Sequence, residues 1–173
     1  HVGLRKCYYG MVEWHEIHKA EYESGRASPA FKDLSVERVC SLVHELMAEQ
    51  FPQYADLPIA PVPLSGNDHR TFHLGDEMLV RLPSAEGYAA QVLKEQQWLP
   101  ELAKHLSMTI PTPLHRGTPS QHYPWNWSIY RWIPGTRIDQ LTLSSDESER
   151  LAKALAQFLQ ALHKAPTQGA PVG

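Results

Sequence analysis

The segment from Ser65 to Glu95 constrains the fold of this chain more than any other part of its sequence. It begins with a loop of small residues, continues as two β-prone runs joined by the turn Gly75-Asp76-Glu77, and ends in a helix. The second run, Met78–Leu82, is apolar except for Arg81. Short strands joined by tight turns form antiparallel hairpins. The sequence therefore predicts a hairpin that presents a cation, followed directly by a helix that presents the Glu95 carboxylate.

The rest of the chain surrounds this hairpin with further strands and helices. The predicted strands cover residues 59–64, 71–74, 78–82, 110–117 and 128–133. The first predicted helix runs from the capping residue Ser35 to residue 50, and the second from about Ala89 toward residue 106. The third begins at the capping residue Ser144 or Ser145 and reaches residue 163. Pro100 is expected to kink the second helix rather than end it. This order predicts an α+β fold with a sheet of about five mainly antiparallel strands and a helix packed on it.

Composition is typical of a soluble globular protein and excludes several function classes. The 173 residues are 42% apolar and 20% charged, enough for one domain or one lobe. A net charge of −3 provides no basic field, so we expect no nucleic-acid partner. No apolar run is long enough to span a membrane. Cys7 and Cys40 are too sparse for a disulfide scaffold, which favours thiols in a reducing cytoplasm.

The loop, the strand cation and the helix carboxylate together suit a phosphate-bearing ligand. Residues without bulky side chains let backbone N–H groups approach an anion. The candidates in and after the loop are Ser65, Gly66, Asn67 and Thr71. Arg81 can bind phosphate while Glu95 orients its guanidinium group. Each part also has a purely structural interpretation, because Gly-Asn turns are common in hairpins and strand arginines often face solvent.

The segment Trp127–Gly135 is a candidate hinge between two lobes. It reads as a strand that runs into a Pro-Gly turn. Its backbone can hydrogen-bond the edge of an adenine ring while Tyr130 and apolar neighbours contact the ring. A core strand with an aromatic face explains the same residues equally well.

The order and spacing of these segments resemble the aminoglycoside phosphotransferase family, protein-kinase-like enzymes that include macrolide phosphotransferases. The resemblance covers residues 34–166. It rests on Glu49–Pro52, Ala55–Pro58, Ser65–Gly75, Val80–Pro83, Tyr88–Pro100, Pro124–Gly135 and Leu155–His163.

The resemblance implies a kinase-like N-terminal lobe that binds ATP, with GTP as an alternative. Residues 34–133 would form this lobe, and residues 134–173 the hinge and the first part of a C-terminal lobe. Residues 1–33 would be a lead-in, either flexible or non-native.

The resemblance also assigns roles to five matching positions. Arg81 would be the strand cation that contacts phosphate, and Glu95 its helix partner. Tyr130 would lie at the back of the adenine pocket, with Arg131 and Ile133 offering a hinge carbonyl and amide. The family often carries asparagine at the position of His69, where this chain therefore departs from it.

A catalytic region is missing from the match. Members place a His-Gly-Asp loop after the helix that ends in Leu-His, followed by an asparagine and an aspartate for magnesium. Nothing after His163 matches, so we assign no catalytic residue and no metal ligand. The sequence is expected to be a truncated, N-terminal part that is inactive alone, with Mg2+ bound only in the complete enzyme.

Three functions are compatible with the sequence. The first is the nucleotide-binding part of a phosphotransferase that moves the γ-phosphoryl group of ATP to a hydroxyl of an antibiotic-like small molecule. The second is a non-catalytic nucleotide-binding or interaction domain on the same scaffold, which self-associates or binds a partner through apolar surface on its last helix. The third, metal binding, rests on ten histidines that lack ligand spacing.

Overall fold

The structure, a computed structural model, describes residues 31–63, 68–166 and 169. Three of the predicted phosphate-loop residues, Ser65, Gly66 and Asn67, lie outside the described residues. Most of the predicted lead-in lies outside them as well. In the part of the chain that is described, no helix is both long enough and apolar enough to cross a membrane.

The described residues contain helices and strands in the predicted order. The α-helices are α1 (Val36–Gln50), α2 (Glu86–Ala103) and α3 (Ser145–Lys164). The strands are β1 (Ile59–Pro61), β2 (His69–Leu74), β3 (Met78–Pro83), β4 (Pro113–Gly117) and β5 (Trp127–Arg131). Short 3-10 helices cover Phe31–Asp33, Pro52–Tyr54 and Ile138–Gln140.

The strands form one antiparallel sheet in the order β1-β2-β3-β5-β4, which confirms the predicted α+β fold. Residues directly opposite each other in a sheet share a face. Val80 lies opposite Phe72 and Ile129, and all three side chains are buried in the core. Arg81 lies opposite Thr71 and therefore on the other face of the sheet.

Helix α1 covers the face that carries Val80. Its buried side chains recur every three or four residues, and Leu42, Val43 and Leu46 belong to the same hydrophobic cluster as Val80. Ser35 begins the helix as predicted, because its side chain accepts a hydrogen bond from the Arg38 amide at 3.3 Å. This layer supports the sheet from behind.

Helix α2 packs on the face that carries Arg81. The Gln96 Nε2 atom donates to the Ser128 hydroxyl oxygen at 2.9 Å and to the His115 carbonyl oxygen at 3.0 Å. These bonds fix the helix against β4 and β5. Pro100 lies inside α2 and does not end it, as predicted, although the helix ends at Ala103 and not at residue 106. Because proline has no amide N–H, Pro100 removes one backbone hydrogen bond of the helix.

Two strands at the edges of the sheet are shorter than predicted. β1 ends at Pro61 and β4 begins only at Pro113. Proline has no amide N–H to donate, so Pro61, Pro63, Pro111 and Pro113 limit pairing at both edges. Strand β5 similarly ends at Arg131, two residues before the predicted end.

The segment before α1 takes part in packing. Phe31, at the end of the predicted lead-in, lies 5.1 Å from Tyr123 and 6.2 Å from Trp125 between ring centroids. Tyr123 is fully buried, and its hydroxyl donates to the Pro83 carbonyl oxygen at 2.7 Å. An aromatic cluster thus connects the start of the described chain to the end of β3.

Helix α3 is capped by Ser144, one of the two predicted cap residues, which forms a capping box with Glu147. The Ser144 hydroxyl accepts from the Glu147 amide at 3.3 Å, and the Glu147 carboxylate accepts from the Ser144 amide at 2.8 Å. Its apolar face is exposed: Leu151, Leu155 and Leu159 keep 37%, 50% and 43% of their surface accessible. Because no residue within α3 is buried, local interactions contribute much of the stability of this helix in the described structure.

Replacing Ser144 with alanine should therefore reduce the helicity of α3. Loss of an N-cap hydroxyl costs helices roughly 1 kcal/mol. We expect faster amide hydrogen exchange over residues 145–150, with the exchange of α1 unchanged. The matched control is Ser145→Ala, which removes a hydroxyl one residue later without removing the cap. Equal protection of α3 in the two variants would contradict the assigned cap.

Candidate functional site

The predicted ion pair forms on the α2-covered face of the sheet. Strand β3 brings Arg81 and helix α2 brings Glu95, and the Arg81 Nη1 and Glu95 Oε2 atoms lie 3.0 Å apart. Their side chains are 28% and 17% exposed. The pair is thus largely shielded but still accessible to solvent, which suits a cation that must meet a ligand. The role of each residue toward a ligand stays a prediction.

Tyr130 joins this pair from β5. Its hydroxyl donates to Glu95 Oε2, the same oxygen that accepts from Arg81. The Arg81 guanidinium carbon lies 5.4 Å from the centre of the Tyr130 ring, within cation–π range. Burial, then the hydrogen bond to Glu95, raises the pKa of Tyr130 above its ordinary value, so the phenol stays protonated and continues to donate. Gln91 Nε2 contacts the other carboxylate oxygen at 3.5 Å.

His69 contacts the opposite side of Arg81. Its Nδ1 atom lies 3.3 Å from Arg81 Nη2, and its side chain is almost completely buried. A guanidinium group only donates hydrogen bonds, so Nδ1 must be the accepting nitrogen and Nε2 carries the proton. Burial, followed by the charge of Arg81, lowers the pKa of His69, while Glu95 and Asp68 act in the opposite direction. The imidazole is accordingly neutral at neutral pH.

The remaining predicted residues that the structure describes are Thr71, Arg131 and Ile133. Thr71 is directly opposite Arg81 in the sheet. The Arg131 amide donates to the Thr112 carbonyl oxygen at 2.9 Å, and the Trp132 amide to the Glu77 carbonyl oxygen at 2.7 Å. Among the described backbone bonds of turns and strand ends, none uses the Arg131 carbonyl or the Ile133 amide.

Sequence reasoning missed several contacts of the site. His69 was noted only as a departure from the family, although strand alternation places residues 69, 71 and 73 on one face. The spacing of four residues between Gln91 and Glu95 was a second available signal. His73 also packs edge-to-face on Trp132, with ring centroids 4.4 Å apart. That contact joins β2 to the hinge segment and has no local signal in the sequence.

The arrangement provides a cation held in place by neighbours on two sides. Arginine has five N–H donors, and the contacts with Glu95 and His69 account for two of them. The other donors can bind an anion that reaches the solvent-exposed part of the Arg81 side chain. Among the described residues, no group of three or more histidine, cysteine or acidic side chains is placed to hold a metal ion.

A comparison with protein families gives a match over most of the chain. The model of the phosphotransferase enzyme family, abbreviated APH, matches residues 59–173. No curated protein matches the sequence closely enough to count as a relative.

Solved structures of phosphotransferases share this fold. The GDP complex of an aminoglycoside 2'-phosphotransferase-IIIa mutant superposes with a TM-score of 0.69 at 24% identity, over 76% of this chain and 43% of that one. ADP-bound aminoglycoside phosphotransferase APH(2'')-Ib superposes with a TM-score of 0.57 at 25% identity, over 70% of this chain and 40% of that one. Macrolide 2'-phosphotransferase type I superposes with a TM-score of 0.51 at 20% identity, over 79% of this chain and 46% of that one. The chain thus spans less than half the length of these proteins, over their N-terminal part.

Proposed function

This chain belongs to the phosphotransferase enzyme family, and we propose that it is the nucleotide-binding N-terminal part of a small-molecule phosphotransferase. The complete enzyme would transfer the γ-phosphoryl group of ATP to a hydroxyl of an antibiotic-type acceptor. One observation carries the proposal: Arg81 is fixed between Glu95 and His69 while remaining partly exposed to solvent, and it lies beside Tyr130 at the end of a hinge-like strand. Positioning and charge neutralisation are what phosphoryl transfer requires of a protein.

Each predicted site residue has a role in this proposal. Arg81 binds phosphate oxygens, and Glu95 orients it. The loop residues Ser65, Gly66 and Asn67, with Thr71, cover the phosphates. Tyr130 closes the back of the base pocket.

The base would bind along the hinge. The Arg131 carbonyl can accept a hydrogen bond from the base, and the Ile133 amide can donate one. The backbone bonds of Arg131 and Trp132 to Thr112 and Glu77 support this role, since they hold the segment extended. We name ATP as the nucleotide and GTP as the alternative, because the solved structures include both ADP and GDP complexes.

The proposal divides the chain at the hinge. Residues 34–133 form the nucleotide-binding lobe and residues 134–173 begin the acceptor-binding lobe, after a lead-in of residues 1–33. The catalytic aspartate and the Mg2+ ligands would belong to a following region, so no step is assigned here to the metal. We propose the cytoplasm as the place of action, because ATP is available there and the buried Cys40 thiol persists in a reducing compartment.

One observation favours a second function, a non-catalytic interaction domain. The leucines of α3 form an exposed apolar face, which a second copy or a partner chain could cover. In the first proposal the acceptor-binding lobe covers the same face. Sedimentation of the purified chain separates self-association from a monomer. The reading frame beyond Gly173 discriminates further, since a His-Gly-Asp segment within a few tens of residues favours the enzyme.

Calorimetric titration of the chain with ATP, GTP and adenosine tests nucleotide binding directly. We expect saturable binding of ATP or GTP and weaker binding of adenosine, because Arg81 contacts phosphate. The affinity for the triphosphates should also fall as the salt concentration rises, as expected for charged contacts. Absence of saturable binding of either triphosphate at millimolar concentration would refute the nucleotide site.

A further inference from the structure

We propose that His69 is a positioning residue that holds the Arg81 guanidinium group in the orientation needed for phosphate binding. This inference rests on the proposed function. Glu95 holds one amino group of the guanidinium, and His69 holds the other at 3.3 Å. A planar group held through both of its terminal nitrogens cannot rotate about its long axis without breaking one of the two bonds. Glu95 alone would leave that rotation open.

The surroundings of His69 preserve its acceptor state. The groups that face the imidazole are Arg81 from β3, Glu95 and the Tyr88 ring from α2, and the adjacent Asp68. The buried ring is 6.3 Å from the Tyr88 ring between centroids. Burial and the Arg81 charge disfavour the imidazolium form, as the lowered pKa of His69 indicates. A protonated ring would present an N–H to the guanidinium donor and lose the bond.

The proposal distinguishes an acceptor from a space-filling residue. Asparagine at this position carries an oxygen acceptor near the place of Nδ1, and it does not titrate. Leucine fills part of the same volume and accepts nothing. If His69 acts through its acceptor atom, the asparagine variant should bind ATP nearly as tightly as the parent, whereas the leucine variant should bind it more weakly. If His69 only fills the core, leucine should serve as well as asparagine or better.

The first experiment measures ATP and adenosine affinity for the parent chain, His69→Leu and His69→Asn. We expect His69→Leu to weaken ATP binding about 10-fold or more, the scale of a hydrogen bond to a charged group. The ATP affinity of His69→Asn should stay within about 3-fold of the parent's. Adenosine affinity should be unchanged in both variants, and thermal unfolding identifies any variant that fails to fold. Equal ATP affinity in folded His69→Leu and parent would overturn the proposal.

A second measurement does not depend on nucleotide binding. Nitrogen chemical shifts of the His69 ring in the parent should show an Nε2–H tautomer with Nδ1 as acceptor. In Arg81→Ala the pKa of His69 should rise, because the neighbouring positive charge is removed. An Nδ1–H tautomer in the parent, or the same His69 pKa in the parent and in Arg81→Ala, would overturn the positioning role. If the parent shows the expected tautomer but binds no triphosphate, the proposed function would be refuted, whereas the contact between His69 and Arg81 would stand.

Discussion

Gly117→Ala is expected to destabilise the chain by about 3 kcal/mol, the upper range for overpacking a core. A Cβ atom at residue 117 would lie 1.9 Å from Cε2 of Trp127. Trp127 is directly opposite in the β4–β5 register and is fully buried. Its ring packs edge-to-face on Phe51 at 5.5 Å, so it cannot move away without disturbing the core behind it. Glycine is required here because of space, not backbone conformation.

Urea unfolding of the parent and the variant measures this effect, with Gly87→Ala as the matched control. A Cβ at residue 87 would meet nothing within 4 Å, and this glycine lies in the first turn of α2. Alanine there should stabilise the chain by about 0.5 kcal/mol by favouring the helix. The two substitutions are chemically identical, but they should change the free energy of unfolding in opposite directions. An unfolding midpoint of Gly117→Ala equal to the parent's would show that β4 does not pack against Trp127 in this way.

The Arg81–Glu95 pair could be predicted because Arg81 interrupts an otherwise apolar strand. An arginine in an apolar strand must find solvent or a partner, and the following helix offers a carboxylate 14 residues later. Local signals also identified Ser35 as one cap and Ser144 or Ser145 as the other, and the structure has caps at Ser35 and Ser144. Periodicity and capping are properties of short segments, so they can be read without knowing the fold.

The contacts that complete the site depend on the sheet register instead. Tyr130 reaches Glu95 only because β5 pairs with β3, although 35 residues separate the two in sequence. His69 reaches Arg81 because the β2–β3 register places both on one face. The Gly117–Trp127 contact follows a register shift in β4 between Pro113 and His115. No local pattern specifies these pairings, which explains why the sequence predicted the parts of the site without all their partners.

The largest functional effect is expected for Arg81→Ala, which should weaken ATP binding about 100-fold while leaving adenosine binding unchanged. Charge-assisted bonds from an arginine to phosphate are among the strongest that a side chain makes. Stability should change little, because the pair is partly exposed and the Glu95 carboxylate keeps its contacts with Tyr130 and Gln91.

Arg81→Lys separates charge from geometry. Lysine keeps the positive charge but presents a compact ammonium group, which cannot span Glu95 and His69 as the planar guanidinium does. We therefore expect an ATP affinity between those of the parent and Arg81→Ala. Arg150→Ala, an exposed position in α3, controls for the loss of one positive charge. Calorimetric titrations at two salt concentrations measure all four proteins. If Arg81→Ala and Arg150→Ala bound ATP equally, the guanidinium group of Arg81 would not be the phosphate contact.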